Sequence, residues 1–114
     1  LRNQISQYYN NSINNNFQKP IIPDQYYSSW AQYSVLSGSS KHREEIISRL
    51  KKENIPSMIY YRIPLHLQKV FENLNYRKGD FPIAESVADR IFSLPMYPYL
   101  ETRNQDKILK ILNS

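Results

Sequence analysis

The sequence predicts a small α+β fold in which helices pack on one face of a short sheet. Three observations point there. One segment, "SSWAQYSVL", alternates with period two, while several others carry apolar residues at helical spacing between proline turns. The third is size: 114 residues, 40% hydrophobic and 22% charged, suffice for one core that buries roughly two thirds of the unfolded surface. A second domain is not expected, so residues 1–114 form a single domain, with residues 1–25 as a linking helix and loop and residues 26–114 as the α+β core.

The elements follow in order. Leu1, Ile5, Tyr8, Tyr9 and Ile13 fall on one side of a first helix, which the asparagines of "NNSINNNFQKPIIPDQ" and then Pro20 and Pro23 terminate. In the strand, Ala31, Tyr33 and Val35 take one face and Trp30, Gln32, Ser34 and Leu36 the other. Ser37-Gly38-Ser39-Ser40 is a turn whose last serine is placed to cap "KHREEIISRLKKEN", a helix that buries Ile46, Ile47 and Leu50. "SMIYY" reads as a second, wholly apolar strand. A short helical piece "LQKVFENL" leads to a turn at Gly79, and Asp80 is placed to cap the helix "FPIAESVADRIF", with Pro82 in the first turn and Ile83, Val87 and Ile91 buried. Pro95 and Pro98 keep "SLPMYPYL" extended. Thr102 and Gln105 have the spacing of a capping box for a last helix carrying Ile108, Ile111 and Leu112.

Composition excludes much chemistry. Without cysteine there is no disulfide, thiolate metal site or cysteine nucleophile. No apolar run is long enough for a membrane span, and a cytoplasmic location with no membrane partner is expected. Gly38 and Gly79, the two glycines, are far apart in sequence, so no phosphate-cradling loop is present. Two histidines, His42 and His66, are too few for a zinc site, and His42 among helix-start charges reads as solvent-facing. The net charge of +5 divides as +3 for residues 1–57 and +2 for residues 58–114; lacking a basic patch, the chain is not expected to bind nucleic acid. The acids Glu44, Glu45, Asp80, Glu85 and Asp89 read as first-turn or solvated helical charges rather than a paired-acid site.

The order "SSWAQYSVL", "RLKKENIP", "MIYYRIPLHLQKVF", "FPIAESVADRIFSLPMYPYL" resembles the C-terminal part of the DegT/DnrJ/StrS sugar aminotransferases over nearly the whole chain. The resemblance implies the small C-terminal domain of the aspartate-aminotransferase-like (fold type I) family, with a short mixed sheet. It also implies a pyridoxal 5'-phosphate enzyme, typically a homodimer, that passes an amino group from a donor, commonly glutamate, to a nucleotide-linked keto-sugar. Tyr60 and Tyr61 then match the end of the family's strand before its proline turn, and Pro64, Leu65, His66 and Gln68 match "PLHxQ". By that match Tyr60, Tyr61, His66 and Gln68 are substrate-binding residues at the rim of the site. Arg62 stands where the family commonly has proline, and Tyr97 where it has histidine.

In such enzymes the lysine that holds the coenzyme, the acid beside its ring nitrogen and the phosphate cup belong to a large N-terminal domain. This chain begins at Leu1 without that domain, and its lysines fall in loops or on charged helical faces. The expectation is therefore no cofactor and no catalytic residue in the isolated chain, with pyridoxal phosphate in the full-length enzyme. The alternative is a stand-alone, non-catalytic interaction domain that kept the fold.

Overall fold

The computed structural model describes residues 1–114. In chain order it comprises α1 (Arg2–Ser12), β1 (Tyr33–Leu36), α2 (Ser40–Lys52), two 3-10 helices (Leu65–Leu67 and Lys69–Leu74), α3 (Pro82–Arg90), β2 (Ile91–Leu94) and α4 (Thr102–Leu112). The α+β class holds. β1 and β2 run antiparallel, Tyr33 opposite Leu94 and Val35 opposite Phe92. Strand alternation puts these four on one face, where α1, α2 and α4 bury them with Ile5, Tyr9, Ile46, Leu50, Ile108 and Leu112. Each large side chain fully buried there stabilises the fold by roughly 1.5–3 kcal/mol. Ser34 and Ser93 fall on the opposite face, their hydroxyls 2.6 Å apart.

The helices end where side chains satisfy their backbone. Ser39, not Ser40, caps α2: its Oγ accepts from the His42 N–H at 3.1 Å. Ser40 is already helical, so its neighbour is the residue with extended backbone. At the other end Asn54 takes a left-handed conformation with φ of 58°, and the N–H groups of Asn54 and Ile55 donate to Lys51 and Leu50. Lys19 Nζ donates to the carbonyls of Asn10 and Ile13, and Asn113 Nδ2 to that of Ser12, closing the end of α1. Residues 1–25 thus do more than link, since Ile5, Tyr9, Ile13 and Phe17 belong to the same core as the sheet.

Several expected boundaries move, each for a tertiary reason. β1 covers only Tyr33–Leu36 because Trp30 sits at φ of 52°, which breaks the extended run; its N–H donates to Ser28 Oγ and its indole to Asn3. "SMIYY" is not a strand. Only Met58 bridges to Ser93, as Pro56 and Pro64 restrict the flanking backbone, so the sheet expected to be mixed contains antiparallel pairings alone. α3 stops at Arg90, and Ile91 and Phe92 join β2 instead, because the β1 ladder competes for their backbone. Ile83, expected to be buried, is 80% exposed on the outer side of α3. Asp80 does not cap α3; it accepts from the Arg77 N–H within its own turn, and Phe81 takes the cap position. The Thr102–Gln105 box does not form either, because Gln105 is drawn inward to donate to the Ile5 carbonyl at 3.0 Å. Leu109 joins Ile108 and Leu112 in the core, while Ile111 is half-buried. His42 is half-buried and stacked on Phe17, not free in solvent.

Candidate functional site

On the far side of the sheet from the three core helices lies an open concavity of about 620 Å³. Its floor is the Ser34–Ser93 face of the sheet, one wall is α3 through Ala84 and Val87, and the other is the irregular segment from Met58 to Tyr76. Most of the lining is hydrophobic. Leu65, Leu74 and Tyr76 stay exposed within or beside it, an apolar surface of the kind that marks an interaction or ligand site.

Proline chemistry builds the rim. Pro64 caps the 3-10 turn Leu65–Leu67, whose geometry swings His66 back over the concavity while Tyr60 and Tyr61 stand at its edge. Of the four rim residues read from the sequence, Tyr60, Tyr61 and His66 line the concavity together. Gln68 does not. Its Nε2 donates to the Ile63 carbonyl at 3.2 Å and braces the turn from behind. Tyr97 also lies outside the lining.

His66 is the polar centre of the wall. Its side chain is 8% exposed, its ring packs on Phe81 at 4.8 Å, and Phe81 in turn meets Tyr76 edge-on. The Nε2 atom is buried and has no hydrogen-bond partner. The Glu85 carboxylate stands 3.8 Å away, near enough to feel its charge yet beyond hydrogen-bond length. Glu85, read from the sequence as an exposed first-turn acid, is 13% exposed and accepts from the Gly79 N–H at 2.8 and 3.0 Å. Gly79 has φ of 98°, which favours glycine, so the loop that holds the carboxylate depends on that residue. Gln32 and Ser34, which line the concavity, and Glu85, which stands behind His66, were not legible as site residues, because only tertiary folding brings them there.

Behind the rim, one glutamate gathers two arginines. Glu44 Oε1 accepts from Arg43 Nη2 at 3.1 Å and from Arg62 Nη1 at 3.0 Å. Burial pushes the Glu44 carboxyl up, but hydrogen bonds from Arg62 and Arg43 outweigh it and hold the group below its ordinary range. Arg43 is buried, with Nη1 donating to the carbonyls of Ala88 and Ile91 at 2.6 and 3.3 Å where α3 hands over to β2. Arg62 therefore ties the rim segment to α2 through Glu44.

The lining does not fit a lysine-anchored coenzyme: it holds no lysine, arginine or carboxylate, and a pyridoxal phosphate site needs an amine, an acid and donors for a phosphate. No group of three metal-ligating side chains occurs, and no helix is long and apolar enough to cross a membrane.

Comparison with known proteins supplies the context. The model of the DegT/DnrJ/EryC1/StrS aminotransferase family matches residues 1–113. A pleiotropic regulatory protein of Geobacillus stearothermophilus is 38% identical over 91 residues, covering 80% of this chain and 24% of the relative. A UDP-2-acetamido-2-deoxy-3-oxo-D-glucuronate aminotransferase of Pseudomonas aeruginosa is 31% identical over 103 residues, covering 90% of this chain and 27% of the relative. The crystal structure of a DegT DnrJ EryC1 StrS aminotransferase from Brucella abortus superimposes with a TM-score of 0.87 at 39% identity, covering 98% of this chain and 29% of that one. The chain thus spans 24–29% of the length of these proteins.

Proposed function

Because the chain belongs to the DegT/DnrJ/EryC1/StrS aminotransferase family, we propose that it is the C-terminal small domain of a pyridoxal-phosphate-dependent aminotransferase acting on a nucleotide-linked keto-sugar, in amino-sugar or surface-glycan synthesis. The observation that carries this reading is the open apolar concavity, rimmed by Tyr60, Tyr61 and His66 and lacking any anchor for the coenzyme. Such a face suits a cover closed over chemistry held elsewhere. In this reading the large domain brings the coenzyme and its lysine, a dimer completes the site, and the isolated chain binds no cofactor. The coenzyme supplies the electron sink for amino transfer. This chain's residues exclude water from the closed site, and Tyr60, Tyr61 and His66 contact the sugar, with Gln68 bracing the turn that carries them.

The test is made on the complete protein, with the coding sequence on either side of this chain read and expressed with it. It should aminate a UDP- or dTDP-linked keto-sugar with glutamate as donor. Tyr61→Ala should lower kcat/KM for the sugar nucleotide about tenfold, the scale of one lost contact of about 1.4 kcal/mol, and leave the coenzyme's absorbance unchanged. Unchanged kinetics would remove the rim from substrate binding. A second reading rests on the same exposed apolar surface: a stand-alone interaction domain that associates through it. Light scattering separates the two, since concentration-dependent association of the isolated chain through this face favours the second and a monomer at all concentrations excludes it.

A further inference from the structure

We propose that Glu85 and His66 form a carboxylate–histidine pair in which Glu85 keeps the imidazole proton on Nε2, so that Nδ1 is the ring's acceptor for a hydroxyl or N–H of the ligand. This deepens the proposed function and, for its ligand half, rests on it. The pair itself rests on geometry alone. A buried polar nitrogen without a partner costs roughly 1–3 kcal/mol, and His66 Nε2 is such an atom. The acceptor facing it is Glu85 Oε2 at 3.8 Å, so a closing movement of less than about 1 Å gives a charge-assisted bond of ordinary length. Neither partner is free to look elsewhere. The ring is held against Phe81, and the carboxylate is pinned through both oxygens by the Gly79 N–H. A neutral imidazole carries one proton, so fixing it on Nε2 leaves Nδ1 with a lone pair. Because the His66 ring lines the concavity, the acceptor serves a ligand there. Glu85 is on this account a positioning residue for His66.

The substitution Glu85→Gln gives a sharp test, because an amide has one acceptor where the carboxylate has two. The Gly79 N–H claims that oxygen, and the amide NH₂ then faces His66 Nε2 as a donor. The proton should move to Nδ1. With nitrogen-15-labelled histidine the chain gives the Nδ1 and Nε2 signals of only two imidazoles, His42 and His66. Neutral His66 is expected to carry its proton on Nε2 in the wild type and on Nδ1 in Glu85→Gln, with the circular dichroism of the two unchanged. The same tautomer in both overturns the pairing. If the variant fails to fold, the wild type alone decides: a proton on Nδ1 refutes the proposal, and a slowly exchanging proton on Nε2 upholds it. In the complete protein Glu85→Gln should raise KM for the keto-sugar nucleotide about tenfold with the coenzyme absorbance unmoved. A tautomer switch with unchanged KM would leave the pair standing and remove its ligand role. A wild-type protein without aminotransferase activity would instead overturn the proposed function and leave the tautomer result intact.

Discussion

Among individual residues, the largest energetic contrast lies between the two arginines that share Glu44. Arg43 is buried and gives both a nearby carboxylate and two backbone carbonyls their donors, whereas Arg62 and Glu44 are 59% and 50% exposed. Replacing Arg43 by Met should lower the unfolding free energy by about 2–4 kcal/mol, since it strands the Ala88 and Ile91 carbonyls. Arg62→Ala should cost less than about 1 kcal/mol, as exposed pairs do. Urea titrations measure both, and equal losses would refute the distinction. Titration follows the same logic. Glu44 is depressed in the folded chain, so its modest contribution is present above the ordinary glutamate value of about 4.3 and lost as pH falls through the lower folded value. Tyr9 and Tyr33 shift the other way, pushed up by burial. Their contribution is full below the ordinary tyrosine value of about 10 and is lost as pH rises beyond it, because the unfolded chain ionises first. The urea midpoint should therefore fall between pH 9 and pH 11, and fall less in Tyr33→Phe; an equal fall would clear Tyr33 of the effect. None of this was readable beforehand. Glu44, Arg43 and Glu85 occupy helical positions that on average face solvent, and their partners lie in other elements.

For the elements, local chemistry was a good guide to existence and a poor one to limits. α2 was legible as an element because its apolar spacing, a serine at its start and a basic last turn all agree. The cap was misplaced by one residue, and the two serines now separate cleanly: Ser39→Ala should cost about 1 kcal/mol and Ser40→Ala less than half of that, by thermal melting. The reverse order would make Ser40 the cap. α4 kept its helix but not its capping box, since a buried hydrogen bond from Gln105 to α1 outcompetes a local one in solvent. "SMIYY" failed as a strand for the complementary reason. Its composition is right, yet only Met58 finds a bridge, and the tyrosines turn out to the rim.

For the whole molecule, α1 decides whether the chain folds. Ile5, Tyr9, Ile13 and Phe17 are buried against elements about a hundred residues away, such as α4. Deleting residues 1–17 should abolish the cooperative thermal transition of the remaining chain, because several large buried side chains at roughly 1.5–3 kcal/mol each exceed the margin of a domain of this size. A sharp transition in the truncated chain would show that residues 18–114 form a core of their own. The candidate site has the opposite dependence. It sits outside this core, on the second face of the sheet, and so tolerates the open, apolar surface that the proposed large domain would bury.

What the sequence by itself determined was local and periodic: the α+β class, the helices, the proline turn with Tyr60, Tyr61 and His66, and the likeness to an aminotransferase family. Tertiary structure alone decided the antiparallel partner of β1, the inward turn of Gln105, the buried Arg43 and the facing of Glu85 on His66. The physical reason is that spacing and propensity act between near neighbours, while these contacts join residues distant in sequence through desolvation and hydrogen-bond competition, which no single segment encodes.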